Sequence, residues 1–158
     1  MDKKTTNEEM CTVSFLDNLT GLYNRNAFFI LAQHQLKIAS RTKRWLSLLL
    51  VDVKMDDTAS RSKGDRTVVD IAALLKQTFR NSDIIARLGE YEFAILAIEA
   101  HYSSSHLMTT RLLENLEDYN SKEKNLNKLT LNRGTSFFDP DHPCSLVELL
   151  ARASATML

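Results

Sequence analysis

The stretch Ile84-Ile-Ala-Arg-Leu-Gly-Glu-Tyr-Glu-Phe-Ala-Ile-Leu-Ala-Ile98 consists of two apolar runs on either side of a short polar turn. Residues 84–88 predict a strand, Gly89-Glu90-Tyr91 a tight turn, and residues 92–98 the partner strand of a hairpin. Because a hairpin joins antiparallel neighbours, at least this part of the sheet is not parallel. We call residues 84–98 the signature hairpin.

Two further strands are predicted outside the signature hairpin. Residues 45–51 form a short apolar run between charged residues, which is typical of a strand buried on both faces. Asp52 follows directly and is expected to end this strand, so that a carboxylate lies at the edge of the sheet where such folds often carry their chemistry. Residues 129–138 predict the other strand.

Four helices are predicted around these strands. Asn24 can cap the first, which ends near the basic residues 41–44, and Ser145 with Glu148 makes a capping box for the last, residues 145–158. A polar loop over residues 54–64 leads to the second helix at Asp65, and the third spans residues 104–119. The order αβαββαβα combines hairpin and crossover connections and predicts an α+β fold with a central mixed sheet flanked by helices.

Length and composition limit the functional classes. The chain has 158 residues, which suits one domain over residues 15–158 preceded by a polar tail or linker end over residues 1–14. Twenty basic residues balance twenty acidic ones, so no net charge attracts nucleic acid. No apolar run approaches the ~20 residues of a membrane span, and Cys11 and Cys144 show no metal spacing. We therefore expect a cytoplasmic, reduced protein.

Four motifs in sequence order resemble those of one family. They are Asp17-Asn-Leu-Thr-Gly-Leu-Tyr-Asn-Arg25, Leu48-Leu-Leu-Val-Asp52, Gly64-Asp65 and Asp83-Ile-Ile-Ala-Arg-Leu-Gly-Glu-Tyr-Glu-Phe93. Together they look like the conserved blocks of GGDEF domains, the diguanylate cyclase family, and the match covers residues 17–158. The resemblance implies a fold like the nucleotide-cyclase palm, with about five strands in the central mixed sheet, and a bacterial role in cyclic di-GMP signalling. Members condense two GTP molecules into cyclic di-GMP between two facing domains, with Mg²⁺ at the phosphates.

The catalytic motif departs from the family pattern at two positions. The resemblance assigns Asp52 to the metal and leaves Glu92 as a residual catalytic carboxylate. Glu90 replaces a glycine that lets the backbone approach the nucleotide, and Tyr91 replaces the second metal-binding carboxylate. A neutral phenol is a poor Mg²⁺ ligand, and a carboxylate at position 90 repels phosphates. The structural alternative is that Asp52, without a partner carboxylate, simply ends its strand and that Glu92 is a solvated residue of the hairpin.

The nucleotide contacts are also incomplete. The resemblance leaves Gly89 and Asp65 as vestigial substrate-binding residues. The family reads guanine with an asparagine as well, but none occurs between Asp52 and Gly64, and that loop is short. Asp56 or Asp57 could stand there, although a carboxylate lacks the donor of an amide. We also expect the family's C-terminal phosphate-binding residues to be missing, so that the domain is truncated.

A second family site is better preserved. Arg80-Asn81-Ser82-Asp83 matches the RxxD motif of the family's inhibitory site, which binds cyclic di-GMP, and Arg111 falls on its second arginine. An arginine fork can bind a guanine edge or a phosphate, and the aspartate can accept from guanine N1 and N2. The alternative is structural, because an arginine at a helix end and an aspartate at a turn are both common.

These observations favour a catalytically inactive GGDEF domain that acts as a cyclic di-GMP receptor within a larger signalling protein. That function needs no cofactor, and Mg²⁺ enters only if cyclase activity remains. GTP is a second candidate ligand, and a homodimer or a cross-domain contact is the expected assembly. The alternatives are a weak or partner-dependent diguanylate cyclase and a nucleotide-independent dimerisation module.

Overall fold

The described part of the chain contains four helices and four strands. The computed structural model describes residues 15–54, 61–98, 102–122 and 128–158. The elements are α1 (Arg25–Thr42), β1 (Leu46–Lys54), α2 (Arg61–Thr78), β2 (Ile84–Arg87), β3 (Glu92–Ile98), α3 (Tyr102–Ser121), β4 (Thr130–Phe138) and α4 (Leu146–Ala155). This order confirms the predicted α+β succession. The predicted tail, residues 1–14, lies outside the described residues.

The four strands form one sheet in the order β2-β3-β1-β4, and each of its pairings is antiparallel. The signature hairpin is confirmed, with Ile84 opposite Leu96 and Arg87 opposite Phe93. The predicted α+β fold with helices flanking a central sheet is confirmed; among the described residues the sheet has four strands rather than about five, and the strand pairings are antiparallel rather than mixed. The crossover through α2 does return a strand parallel to β1, but β3 lies between the two. The parallel component is reduced to one bridge, from Tyr23 to Ala86 at the edge of β2.

Strand β1 lies between two apolar cores, one on each face of the sheet. Leu49, Val51 and Val53 pack into a core with α2 and α3, whereas Leu46 and Leu48 pack into a second core with α1 and α4. Both faces are therefore buried, as predicted. The strand runs two residues past Asp52, so the expectation that Asp52 ends it is wrong: the alternation continues because Val53 is buried and pairs with Leu131.

The helix ends follow local capping chemistry. The Asn24 side chain accepts a hydrogen bond from Ala27 N at 2.9 Å, and Ser145 Oγ accepts one from Glu148 N at 3.1 Å. Helix α1 ends at Thr42, and Lys43 adopts a left-handed cap with φ of 57°.

Two predicted helix bounds are wrong. Helix α2 already begins at Arg61, so the last residues of the predicted loop are helical and Asp65 lies inside the helix. Helix α4 ends at Ala155 rather than at Leu158. There Thr156 Oγ1 accepts from Thr135 N, and Leu158 N donates to Arg133 O at 3.1 Å, so the last residues leave the helix to cover the edge of β4.

Candidate functional site

The turn of the signature hairpin is held by Arg87. Its Nε donates to Gly89 O at 3.1 Å, its Nη2 to Glu90 O at 2.8 Å, and its Nη1 to Asp17 Oδ1 at 3.2 Å. Burial favours the neutral form of Asp17, but hydrogen bonds from Thr20 and the charge of Arg87 outweigh it, so the pKa of Asp17 lies below its ordinary 3.8. The turn is therefore tied to the start of the domain by a charged contact.

Asp52 and Glu92 share one face of the sheet. They are cross-strand partners on β1 and β3, and directly opposed residues of antiparallel strands point to the same side. Both line a cleft of roughly 350 Å³ between α1 and α4. Arg25, which also lines this cleft, places its guanidinium carbon 5.3 Å from the centre of the Phe29 ring. We call this space the hairpin cleft.

Tyr91 does not join the two carboxylates. Its ring packs against the core between the sheet and helices α2 and α3, and its carbonyl accepts from Val53 N at 2.9 Å. No cluster of three or more His, Cys, Asp or Glu side chains suited to a metal occurs among the described residues. The residues of the hairpin cleft thus offer Mg²⁺ two carboxylates, Asp52 and Glu92, and the fit to the family's metal centre is incomplete.

The remaining nucleotide residues are dispersed. Asp65 is exposed on α2, which packs on the face of the sheet opposite the hairpin cleft. Gly89 lies at the turn, where an added Cβ would be 3.3 Å from Glu92 Oε2. Asp56 and Asp57, the predicted substitutes for the guanine-reading asparagine, lie outside the described residues.

Residues 80–83, which we call the Arg80 turn, are hydrogen-bonded to one another and to the end of β3. The two carboxylate oxygens of Asp83 accept from Arg80 N and from Ile98 N, each at 3.0 Å. Arg80 Nη2 donates to Ile98 O at 2.8 Å and lies 3.8 Å from Asp83 Oδ1. The Asp83 side chain is fully buried, whereas that of Arg80 is 56% exposed. The turn therefore holds a solvent-facing guanidinium on a rigid support.

Helix α3 brings Arg111 toward the C-terminal end of α2, which leads into the Arg80 turn. Tyr119 OH donates to Asp70 Oδ2 at 2.9 Å, and Asn115 Nδ2 donates to Thr78 Oγ1 at 2.8 Å, so the two helices run antiparallel. Burial and the bond to Asp70 raise the pKa of Tyr119 to about 12. Arg111, which is exposed, lies one helical turn before Asn115 and so faces the end of α2 where the Arg80 turn begins.

Sequence reasoning missed two features of the site. The first is the contact between Arg87 and Asp17. Each of these residues belongs to one of the four family motifs, and this was the feature of the sequence that could have indicated a contact between them. The inward packing of Tyr91 had no such signal, because alternation along the hairpin does not show which side chain of a turn reaches the core.

The order of the strands, the helices on both faces of the sheet and the carboxylates beside the signature hairpin define the class of this α+β domain. The family model described as "Diguanylate cyclase, GGDEF domain" matches residues 14–158, and the chain belongs to this family. The domain resemblance stated from the motifs is confirmed.

Individual relatives agree with this assignment. Diguanylate cyclase A of Treponema denticola is 28% identical over 93% of this chain and 42% of its own length. The probable diguanylate cyclase DgcE of Escherichia coli is 30% identical over 65% of this chain and 10% of its own length. The chain thus spans less than half the length of these curated relatives.

A solved structure has the same fold. The coiled coil and GGDEF domain of DgcB from Caulobacter crescentus, in complex with c-di-GMP, superposes with a TM-score of 0.81 at 21% identity, covering 96% of this chain and 83% of that one. Within the described residues, no helix is both long enough and apolar enough to cross a membrane.

Proposed function

We propose that this chain is a catalytically inactive GGDEF domain that binds cyclic di-GMP at the Arg80 turn. One observation carries the proposal: Tyr91 at the catalytic signature packs into the core, while Arg80 presents an exposed guanidinium on a fixed turn. As its relatives are much longer, the domain serves as a receptor module of a larger signalling protein.

The loss of catalysis follows from the charge needed at the phosphates. The family's reaction is the attack of a 3′-hydroxyl on an α-phosphate, and Mg²⁺ neutralises the charge that develops there. Tyr91 removes one carboxylate ligand, and Glu90 adds an exposed negative group at the turn. A loss of about 4 kcal/mol of transition-state stabilisation corresponds to roughly a thousandfold loss in rate.

The receptor chemistry rests on arginine. A guanidinium carries five N–H donors, of which Arg80 uses one for Ile98 O, so the outer edge stays available to a guanine edge or a phosphate. Arg111 adds a second cation on the neighbouring helix. Direct contact between Asp83 and a guanine stays a prediction; its buried carboxylate first of all fixes the turn that presents Arg80. That DgcB was solved with c-di-GMP supports the choice of ligand.

Calorimetric titration with cyclic di-GMP tests the proposal. The wild-type chain and Arg41→Ala, which removes an exposed arginine from the end of α1, are expected to bind equally. Arg80→Ala is expected to lose at least about tenfold in affinity, because a charge-assisted bidentate contact disappears. Equal affinity in all three proteins, or binding in none, would contradict the receptor function.

Residual cyclase activity is a second candidate because Asp52 and Glu92 still face the same cleft. The chain is incubated with GTP and Mg²⁺, and cyclic di-GMP is quantified by chromatography. We expect no product above that of the Asp52→Asn/Glu92→Gln control. Product that the control fails to make would establish a weak cyclase.

A nucleotide-independent dimerisation module is separated from both by size. Light scattering of a module of that kind would show a dimer whose mass is the same with and without cyclic di-GMP. The receptor proposal predicts that cyclic di-GMP binds with an affinity measurable by calorimetry, whether or not the mass of the protein in solution changes.

A further inference from the structure

An exposed apolar patch lies at the start of the domain. Four large apolar side chains within residues 15–23 are more than a third exposed, out of nine such residues in the described part of the chain. They are Phe15, Leu16, Leu19 and Tyr23, which we call the N-terminal patch. Single exposed apolar residues are ordinary, whereas several within a short segment are typical of surfaces that contact another molecule.

The N-terminal patch is held in a fixed conformation. Leu16 and Tyr23 form an antiparallel bridge, Asp17 N donates to Leu22 O at 2.7 Å, and Gly21 N donates to Asp17 O at 2.8 Å. Gly21 has φ of 73°, a conformation that suits glycine. A partner therefore meets a surface that is already ordered, which reduces the entropy lost on binding.

A cleft of roughly 290 Å³ adjoins the patch. Leu16 and Tyr23 form part of its wall, Phe79 contributes apolar surface, and Lys76 and Arg80 supply positive charge. Lys76 Nζ donates to Thr20 O at 3.3 Å, which leaves two of the three ammonium donors for another acceptor. We call this the Lys76 cleft.

Among the described residues that line the cleft, Asp83 is the one carboxylate; it lies 3.8 Å from Arg80 Nη2 and offsets part of that charge, which leaves the Lys76 ammonium as the main cation of the rim. Asp83 is fully buried beneath the Arg80 turn, and Asp17 is mostly buried and engaged by Arg87. The Lys76 cleft thus combines apolar walls with a positive rim. The complementary ligand is apolar in part and negatively charged in part.

We infer that the Lys76 cleft, together with the N-terminal patch, docks an acidic amphipathic polypeptide segment. An apolar side chain of the segment enters the concave cleft, its neighbours cover the patch, and a carboxylate meets the Lys76 ammonium. The cleft is concave and bordered by a sheet edge, which favours an inserted side chain over a flat lipid surface. Arg80 belongs both to the rim of this cleft and to the proposed cyclic di-GMP site, so the two ligands share one guanidinium, and the peptide titrations are made without the nucleotide.

Peptide selection tests the inference. A displayed library of random peptides of about twelve residues is selected on the immobilised full chain, and the enriched peptides are titrated in solution. We expect sequences rich in Asp or Glu with Leu, Phe or Met. Their affinity should fall at least about tenfold with Leu16→Glu and with Lys76→Glu, and persist with Lys76→Arg.

Val147→Glu is the matched control, because Val147 is an exposed apolar residue on α4 that does not line the cleft; it is 67% exposed, against 43% for Leu16. Circular dichroism verifies that each variant is folded. No enrichment, or enriched peptides that bind Leu16→Glu and Lys76→Glu as well as Val147→Glu, would overturn the inference. Leu16-dependent sedimentation with phosphatidylserine vesicles would overturn it too, in favour of a lipid surface.

Discussion

The carboxylate of Asp83 is fully buried and accepts hydrogen bonds from two backbone N–H groups. Asp83 therefore contributes to the stability of the fold as well as to the proposed ligand site. The RxxD spacing was visible in the sequence and suggested a binding site. Its structural role was not visible, because it depends on Ile98, which lies fifteen residues away on another strand. The sequence identified the residue, and the fold explains its burial.

Replacing Asp83 by alanine is expected to lower the free energy of unfolding by about 3 kcal/mol. The change leaves the partly buried N–H groups of Arg80 and Ile98 without their carboxylate acceptor, and an unsatisfied group costs up to about 1–3 kcal/mol. Urea denaturation measures the effect, with Asn81→Ala at an exposed neighbouring position as the control. A loss below about 0.5 kcal/mol would contradict the assigned role.

Asp17 makes the stability of the domain depend on pH. Its pKa is depressed in the folded state, so it stabilises the fold at pH values above its ordinary 3.8, and the contribution is lost as the pH falls through the depressed pKa. Asp17→Asn should therefore destabilise the chain at neutral pH, and the difference from wild type should shrink in acid. Urea denaturation over a pH series measures this. A difference that stays constant below pH 3.8 would refute the account.

The helices and strands show where local signals suffice. Capping by Asn24 and Ser145 and the alternation of the signature hairpin depend on neighbouring residues, and all three were predicted. The end of α4 was not, because Thr156 leaves the helix to bond Thr135 on a distant strand. The antiparallel sheet was missed for the same reason: strand order is a property of the assembled fold.

Gly134 of β4 lies directly against α4. An added Cβ would lie 1.9 Å from Ala153 O and 3.0 Å from Met157 Cγ, so the helix would have to move. Gly134→Ala is expected to lower the unfolding free energy by about 1–3 kcal/mol through overpacking. Thermal and urea unfolding measure the loss, and Ser154→Ala, at an exposed position of α4, is the control. An unchanged stability would show that the helix shifts without cost.

Restoring the family signature is a test of the hairpin as a unit. The double variant Glu90→Gly/Tyr91→Asp recreates the sequence GGDEF. We expect no cyclic di-GMP from GTP and Mg²⁺, because the guanine-reading asparagine is still missing, and a stability loss of about 1–2 kcal/mol as the Tyr91 ring leaves the core. Product formation by this variant would show that the signature alone had disabled the enzyme.

At the scale of the whole molecule, the two candidate ligand regions are separate. Asp52 and Glu92 face the α1–α4 side of the sheet, whereas the Arg80 turn lies where α2 meets β2. The sequence could predict both regions through motifs whose spacing is local. It could not predict that Arg80 also lines the Lys76 cleft, because this cleft brings Arg80 close to Leu16 and Tyr23, which are distant from it in the sequence.

The separation of these regions makes the central claim directly measurable by a two-dimensional amide NMR titration of the labelled chain with cyclic di-GMP. The account predicts that the shifted resonances cluster at the Arg80 turn, at Ile98 and on the first half of α3 around Arg111. Resonances around Asp52 and Glu92 should stay in place. Shifts confined to the hairpin cleft, or no shifts at saturating ligand, would contradict the claim that this domain reads cyclic di-GMP through the Arg80 turn.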